Sequence, residues 1–396
     1  MADAVGLVLA GGGARGAYEI GALSALLPWL EREHGQRPGV VVGTSVGALN
    51  TAYIAAHADE PTAELVEDGA RIWAEIKWSD VLAPLVSPGE ISAMARLAGS
   101  LLLRGVSPLS LLDPAPLKST LERLIDFARI HANVGAALDA CAVVATAAYT
   151  NQSVVFHDGG ESPPDDERRG IRYVATQIGT DHVRASAAIP VLFGGVELSG
   201  EWYFDGGTRL NTPIKPALAL GAERLIVIGL NSLARAPAAR RRPDLFDGAG
   251  EVIQAVLVDP LVNDVATLAT INETLLATGP TEDRRVIPYI FVAPRTPNAI
   301  GRLAAETFRD CYGALRGLRR SRDLALLGRL VDPGRSPARA ELFSFLFFDG
   351  EFANRLIALG RQDARRWTEE VHDDGPWQLR RISGSRAPRR GGGRRR

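Results

Sequence analysis

Val40-Val41-Val42-Gly43-Thr44-Ser45-Val46-Gly47-Ala48-Leu49-Asn50 is the stretch that decides the fold. The three valines predict a strand buried on both faces, and the residues after Gly47 predict a helix to about residue 57. Gly43 and Gly47 lack a Cβ, so the backbone between them can take a strained strand-to-helix turn that presents the Ser45 hydroxyl, as at a nucleophile elbow. A chain with 41 glycines can contain this pattern by chance, so its context has to decide.

An upstream segment repeats the same order of elements. Val5 to Ala10 is a short apolar run that predicts a buried strand, Gly11-Gly12-Gly13 forms a turn, and helical periodicity follows to about residue 33. Two consecutive strand-turn-helix units predict a parallel sheet covered by helices. The expected fold is therefore a three-layer α/β/α arrangement with a mostly parallel central sheet.

The remaining chain divides into a core, an extension and a tail. The core is expected at 5–230, with a helical insertion at about 61–130, and its sheet is expected to end near residue 230. Residues 248–377 predict a mainly helical extension packed on the core, and 384–396, rich in Gly and Arg, predict a disordered tail. The individual segments are predicted helices at 63–76, 91–103 and 117–130, and predicted strands at 140–149, 153–157, 171–176, 201–204, 224–230 and 286–292.

The composition favours an ordinary globular protein. Of 396 residues, 46% are hydrophobic and 23% are charged, and the formal net charge of −1 gives no reason to expect a nucleic-acid partner. The two cysteines cannot form a disulfide framework, and Cys141 lies in an apolar stretch where a packed thiol is expected. No secretory signal or long apolar segment is evident, which predicts a cytoplasmic protein and leaves peripheral membrane contact open.

The loop Gly11-Gly12-Gly13-Ala14-Arg15-Gly16 allows three interpretations. It matches the dinucleotide fingerprint, but that motif expects an acidic residue after a second strand, whereas Glu31 and Glu33 lie at the end of the helix. A Walker phosphate loop is excluded because the Gly-Lys-Ser/Thr ending is missing. In the third interpretation, the N–H groups of Gly11, Gly12 and Gly13 form an oxyanion hole beside Ser45.

Asp205-Gly206-Gly207 supplies a candidate base. The carboxylate follows a predicted strand, and the two glycines permit a sharp turn next to a crowded site. An ordinary α/β-hydrolase triad would need a histidine after the acid, but the only one is His372, beside acidic residues where a surface position is expected. The histidines show no metal-ligand spacing, and neither a metal nor a cofactor is expected.

These motifs together resemble the patatin-like phospholipase family. Its pattern consists of Gly-Gly-Gly-x-Arg/Lys-Gly, Gly-x-Ser-x-Gly and a later Asp-Gly-Gly or Asp-Gly-Ala, and the small-residue segment Ala185 to Pro190 also fits it. The resemblance covers about residues 5 to 230. It implies a dyad in which Ser45 is the nucleophile and Asp205 the proton acceptor. The positions that it marks as supporting the motifs are Arg15, Gly16, Gly43, Gly47, Gly206 and Gly207.

The resemblance also implies an activity, with alternatives. A lipid acyl hydrolase would cleave carboxylic esters of phospholipids or related lipids through an acyl-enzyme. An acyltransferase on the same scaffold and a non-catalytic anion- or lipid-binding module are the rivals. Arg15 either orients the loop, meets a lipid phosphate or lies in solvent. Residues 91–103 and 343–348 are expected to pack in the core, with an acyl pocket or bilayer contact as the alternative, and the oligomeric state is left open.

Overall fold

The computed structural model describes residues 4–85, 110–234, 242–257, 259–281, 284–313, 317, 319–370 and 375–380. The predicted helix at 91–103 and the predicted tail at 384–396 lie outside these residues. The strands are β1 (Val5–Leu9), β2 (Pro38–Thr44), β3 (Ala140–Ala147), β4 (Ser153–Gly159), β5 (Ile171–Ala175), β6 (Val196–Leu198), β7 (Glu201–Asp205), β8 (Arg224–Ile228) and β9 (Tyr289–Val292).

The strands form one mixed, mostly parallel sheet in the order β5-β4-β3-β2-β1-β8-β9. The central strands β3, β2, β1 and β8 run parallel to one another, and β9 joins β8 in parallel. β4 and β7 both pair antiparallel with β3, and β6 pairs antiparallel with β7. The predicted α/β architecture with a mostly parallel sheet is confirmed.

Helices cover both faces of the sheet. They are α1 (Gly16–His34), α2 (Val46–Ala56), α3 (Thr62–Glu75), α4 (Trp78–Val81), α5 (Ala115–Leu124), α6 (Phe127–Asn133), α7 (Thr180–Ser186), α8 (Ile214–Ala219), α9 (Leu245–Leu257), α10 (Asp259–Thr278), α11 (Ala299–Tyr312), α12 (Arg322–Val331), α13 (Pro337–Leu346) and α14 (Gly350–Glu369). Side chains of β1 alternate between two apolar cores: Leu7 and Leu9 face one, Val8 and Ala10 the other. Both faces of the sheet are therefore buried, as the continuous apolar run predicts.

Two details differ from the sequence prediction. The sheet does not end near residue 230, because β9 extends it at one edge through its pairing with β8. The single helix predicted at 117–130 is two helices, α5 and α6. Asp126 lies between them and its side chain accepts a hydrogen bond from the Ala128 N–H at 3.1 Å, which caps α6 and starts a new helix axis.

The C-terminal helices pack closely on the core. Where α1 and α14 cross, a Cβ on Gly21 would lie 2.4 Å from the Ile357 carbonyl oxygen, and a Cβ on Gly360 would lie 2.3 Å from the Tyr18 carbonyl oxygen. The two helix backbones can approach this closely because both positions lack a side chain. Tyr18 also donates a 3.0 Å hydrogen bond to Asp363. The extension therefore shares a continuous apolar core with the strands.

The described residues contain no helix whose length and apolar character would let it span a bilayer. The two cysteines are free thiols. Cys141 is fully buried in β3, which confirms the prediction of a packed thiol, and burial raises its pKa.

Candidate active site

Ser45 occupies the turn between β2 and α2 in a strained backbone conformation. Its φ is 55° and its ψ is −124°, backbone angles that residues other than glycine rarely adopt. The flanking glycines make this turn possible. A Cβ on Gly43 would lie 2.1 Å from the Gly47 carbonyl oxygen, and a Cβ on Gly47 would lie 2.3 Å from the Leu9 carbonyl oxygen. The backbone therefore has the geometry of a nucleophile elbow, with Ser45 directly before the first residue of α2.

The register of the sheet brings Asp205 to Ser45. Thr44, the last residue of β2, pairs with Val144 of β3, and Asp205, the last residue of β7, pairs with Ala145 of the same strand. β2 and β7 run in opposite directions and end against consecutive residues of β3. Ser45 Oγ donates a hydrogen bond of 2.5 Å to Asp205 Oδ2.

The Asp205 carboxylate is held in a dry environment. Its side chain is fully buried, and Oδ1 accepts a 2.7 Å hydrogen bond from the Gly207 N–H. Burial raises the pKa of Asp205 to about 7, although the hydrogen bonds from Ser45 and Gly207 oppose the rise. A carboxyl group with a pKa near neutrality can both accept and return a proton at physiological pH. Gly206 lets β7 turn here, because a Cβ on it would lie 2.2 Å from the Val144 carbonyl oxygen.

Ser186, the last residue of α7, binds the backbone of the elbow. Its Oγ accepts a 2.9 Å hydrogen bond from the Ser45 N–H and donates one of 2.5 Å to the Val144 carbonyl. The same segment fixes the base, since the Asp205 N–H donates to the Ala188 carbonyl at 2.8 Å. The sequence marks Ala185 to Pro190 only as a resemblance. The structure gives the segment a physical role, which is to join the nucleophile and the base.

The glycine loop lies directly beside Ser45. A Cβ on Gly11 would lie 3.0 Å from the Ser45 Cβ. The Gly11 N–H donates a 3.0 Å hydrogen bond to the Asn211 side chain and is therefore engaged within the protein. Gly12 and Gly13 begin a short 3-10 turn, whose first N–H groups have no acceptor within the turn. Of the three predicted oxyanion donors, Gly12 and Gly13 donate to no backbone acceptor described for the structured part of the chain. No motif in the sequence marks Asn211.

Arg15 is fully buried, so the interpretation as a solvent-exposed arginine is wrong. Its guanidinium forms a 3.0 Å ion pair with Glu341 and donates a 2.9 Å hydrogen bond to Ser344, both in α13. Arg15 therefore contacts the C-terminal helices. Gly16 follows it where a Cβ would meet Val46 at 2.4 Å, which lets α1 approach the start of α2.

A buried polar network lies behind the glycine loop. Glu19 accepts a 3.0 Å hydrogen bond from the Ala10 N–H and another of 2.8 Å from the Asn50 side chain. Asn50 in turn accepts one of 2.9 Å from the Trp73 indole. Burial raises the pKa of Glu19 to about 8, and both hydrogen bonds oppose this rise. The network joins the end of β1 to α2 and α3. Sequence reasoning missed it, since these residues are far apart along the chain.

An apolar cavity of about 100 Å³ opens at Ser45. Its walls come from the α/β core, from the helical insertion and from the C-terminal helices. The lining residues are Gly13, Ile20, Ser45, Val46, Leu49, Asn50, Tyr53, Gly69, Ile72, Trp73, Ile76, Val81, Leu117, Thr120, Leu121, Leu124, Ile125, Ala187, Ile189, Phe193, Phe345, Leu346 and Phe348.

Most polar groups among the lining residues form hydrogen bonds within the protein. The Tyr53 hydroxyl donates to the Leu65 carbonyl at 2.9 Å, and Asn50 and Trp73 bond to each other. The cavity thus presents a mainly apolar surface that leads to Ser45. No histidine is among its lining residues, and the described part of the chain contains no group of three or more side chains arranged to hold a metal ion.

The aromatic segment 343–348 is split between two roles. Phe343 and Phe347 pack against each other with ring centroids 4.5 Å apart and are almost fully buried, as the core interpretation predicts. Phe345, Leu346 and Phe348 also have low exposure but line the cavity.

The comparison with protein families agrees with this geometry. The model of the patatin-like phospholipase family matches residues 7–218, more than half of the chain. The chain belongs to this family. The glycine loop, the Ser45 elbow, the segment Ala185 to Pro190 and Asp205-Gly206-Gly207 all lie inside the matched residues. The family takes its name from phospholipase activity.

Comparisons with solved structures and with curated proteins add less. The crystal structure of VipD from Legionella pneumophila matches with a TM-score of 0.30 and 15% sequence identity, over 74% of this chain and 62% of that chain. The match therefore spans less than two thirds of the VipD chain. None of the curated proteins compared with the chain matches it.

Proposed function

We propose that this protein hydrolyses carboxylic ester bonds of lipids with Ser45 as nucleophile and Asp205 as general base. The observation that carries the proposal is the 2.5 Å hydrogen bond between Ser45 Oγ and Asp205 Oδ2 in a fully buried setting. Nucleophile and base must lie within hydrogen-bonding reach, and these two do.

The acylation step follows from these positions. Asp205 accepts the Ser45 proton while Oγ attacks the ester carbonyl, and the carbonyl oxygen becomes an oxyanion. Backbone N–H groups of Gly12 and Gly13 stabilise this charge, aided by the positive N-terminal end of α2. The tetrahedral intermediate then collapses. Its carbon–oxygen bond to the alcohol breaks, Asp205 returns the proton to the leaving oxygen, and the acyl group stays on Ser45.

Deacylation uses the same groups in reverse. Asp205 accepts a proton from water, the hydroxide oxygen attacks the acyl carbonyl, and the second tetrahedral intermediate releases the fatty acid. The proton goes from Asp205 back to Ser45 Oγ. A pKa of about 7 suits a residue that acts as base and acid in alternation.

The cavity supports an acyl chain as the part of the substrate that is bound. Apolar walls favour burial of hydrocarbon by about 25 cal/mol per Å². The cavity begins at Ser45, so an ester carbonyl at the nucleophile would direct its acyl chain between α2, α3 and α5. The name of the family, patatin-like phospholipase, favours phospholipids and lysophospholipids as the ester class.

Active-site labelling tests the proposal. A fluorophosphonate probe should label the protein covalently, and labelling should disappear in Ser45→Ala. Asp205→Asn should label more slowly than the wild type, because an amide cannot accept the serine proton. Ser162→Ala serves as a control, since Ser162 bonds to His157 and does not line the cavity at Ser45. This variant should label like the wild type. Absence of labelling in the folded wild type would contradict a serine hydrolase.

Product analysis then identifies the ester class. Wild type and Ser45→Ala are incubated with defined phosphatidylcholine, lysophosphatidylcholine and triacylglycerol, and the released fatty acid is measured. We expect free fatty acid from the wild type alone. New acyl esters of an added alcohol, formed without free fatty acid, would identify acyl transfer in place of hydrolysis.

A further inference from the structure

Residues 341–348 of the C-terminal helices lie against the glycine loop and the cavity, although the family match ends at residue 218. We infer that this segment, named here the C-terminal wall, completes the active site. It positions the glycine loop through Arg15 and determines which acyl chains fit beside Ser45. The inference rests on the proposed ester hydrolysis and adds positioning and specificity residues to it.

The first observation is the way Arg15 is bound. Its side chain has no exposed surface, and its ion pair, hydrogen bonds and ring contact with the described residues all come from the C-terminal wall. Nη2 pairs with the Glu341 carboxylate at 3.0 Å and donates to the Glu341 carbonyl at 3.1 Å. Nε donates to Ser344 Oγ at 2.9 Å, and the guanidinium lies 3.7 Å above the Phe345 ring. A buried guanidinium needs such partners, so the wall fixes the position of Arg15.

The second observation is direct contact between backbones. Gly13 has a φ of 60°, and a Cβ on it would lie 2.3 Å from the Phe345 carbonyl oxygen. The loop that carries the proposed oxyanion donors thus lies against the C-terminal wall. Arg15 lies two residues after Gly13, directly before the first residue of α1. A shift of the wall would therefore move Gly12 and Gly13 relative to Ser45.

The third observation is the division of side chains along the wall. Phe345, Leu346 and Phe348 line the cavity, whereas Phe343 and Phe347 pack into an aromatic cluster with Phe308. Leu346 has 8% exposure, which is consistent with a side chain that faces an enclosed space. Residues of the same short segment thus either hold it in place or contact the bound acyl chain.

Ser344→Ala and Glu341→Gln test the positioning role. Ser344→Ala removes one acceptor from Arg15, and Glu341→Gln removes the charge while retaining an oxygen for the Gly301 N–H that Glu341 also binds. On a short-chain ester, kcat should fall by about tenfold or more, because misplaced donors weaken transition-state stabilisation. KM should change by less than about twofold, because ground-state binding is unaffected.

Asp349→Asn is the matched control. Asp349 is a buried carboxylate of the same helical region that binds Arg320 and Tyr312, and no described contact links it to the glycine loop. Its replacement should lower the melting temperature without a selective loss of kcat. The kcat values are compared under conditions in which all three variants are folded. If Ser344→Ala and Glu341→Gln lower kcat no more than Asp349→Asn does, the positioning role is overturned.

Leu346→Phe tests the specificity role. The larger side chain should lower kcat/KM for a palmitoyl p-nitrophenyl ester about tenfold relative to the acetyl ester, since it occupies space in the cavity. Phe343→Leu is the control in the same helix, because it faces the aromatic cluster. An unchanged palmitoyl-to-acetyl ratio in Leu346→Phe would overturn this role. A wild type that hydrolyses neither ester would instead refute the proposed function, so the two failures are distinguishable.

Discussion

Ser45 and Asp205 meet because the strands that carry them end against consecutive residues of β3. Thr44 pairs with Val144, Asp205 pairs with Ala145, and the two side chains form a 2.5 Å hydrogen bond. Strand register changes only in whole residues, so the relative position of the two groups is fixed by the main-chain pairing of the sheet. The hydrogen bond from the Gly207 N–H to Oδ1 also orients the carboxylate for its proposed role as base.

The pH dependence of hydrolysis should report Asp205. Burial raises its pKa to about 7, and only the carboxylate form can accept the Ser45 proton. We therefore expect kcat/KM to rise with pH and to reach a plateau, with a midpoint at about pH 7. Initial rates on a short-chain ester in a constant-ionic-strength buffer series measure this profile.

A histidine could give a similar midpoint, and His182→Gln is the control. His182 is a half-buried side chain of α7 whose pKa is lowered by burial, and it does not line the cavity. The midpoint should be the same in this variant. A midpoint that moves or disappears in His182→Gln would assign the titration to the histidine and not to Asp205.

Asp205→Asn should lose activity and gain stability at high pH. Above pH 7 the native wild type holds a buried charge that the unfolded chain exposes to water, so this group lowers the free energy of unfolding. Its destabilising effect is absent below the unfolded pKa of about 3.8, grows as the pH rises, and is fully present above about 7. The amide carries no charge at any pH. Melting temperatures should therefore be higher for Asp205→Asn at pH 8, and the difference should vanish near pH 4.

Ser45→Ala provides the comparison for that experiment, since it should be inactive like Asp205→Asn but retains the carboxylate. The decrease in wild-type stability between about pH 4 and about pH 7 from this group should persist in Ser45→Ala and be missing in Asp205→Asn. Equal pH slopes in the two variants would show that Asp205 does not carry a raised pKa.

The strain at Ser45 should be measurable with two inactive variants. Ser45→Ala and Ser45→Gly both remove the hydroxyl, but only glycine adopts a φ of 55° and a ψ of −124° without steric cost. The free energy of unfolding should be higher for Ser45→Gly by about 1 kcal/mol, the lower end of the usual cost of such strain. Urea denaturation of both proteins gives the difference. Equal stabilities would indicate that the elbow is unstrained.

The sequence predicts the parts of the site that depend on local chemistry. Gly43 and Gly47 mark the elbow because a tight turn needs residues without a Cβ, and short continuous apolar runs mark the strands that are buried on both faces. Asp205 could be proposed because it follows a strand and precedes two glycines. Only the family resemblance predicts that Ser45 and Asp205 act together, because their hydrogen bond depends on how β2 and β7 meet on β3.

Long-range contacts explain what the sequence could not supply. Asn211 binds the Gly11 N–H, and no pattern in the sequence marks it. Ser186 lies in the segment that fits the family pattern, but that pattern does not predict its bond to the Ser45 N–H. Arg15 could be assigned no partner, because Glu341 lies more than 300 residues away in a region outside the resemblance. The end of the sheet follows the same rule: the sequence predicts a strand at 286–292, but its pairing with β8 is a long-range contact.

Substitutions in the glycine loop should differ in severity according to what a new methyl group would meet. At Gly12 the φ is −178°, an extended value open to any residue, and a Cβ would meet the Leu230 side chain at 2.2 Å, where a methyl group can rotate away. At Gly13 the φ is 60° and the Cβ would meet the Phe345 carbonyl oxygen at 2.3 Å. A backbone oxygen cannot move without shifting the C-terminal wall.

Gly13→Ala should therefore lower kcat by about 10² or more and reduce the free energy of unfolding, whereas Gly12→Ala should remain folded with a smaller loss of kcat. Steady-state kinetics and urea denaturation of the two variants test this order, and a more severe effect of Gly12→Ala would contradict it.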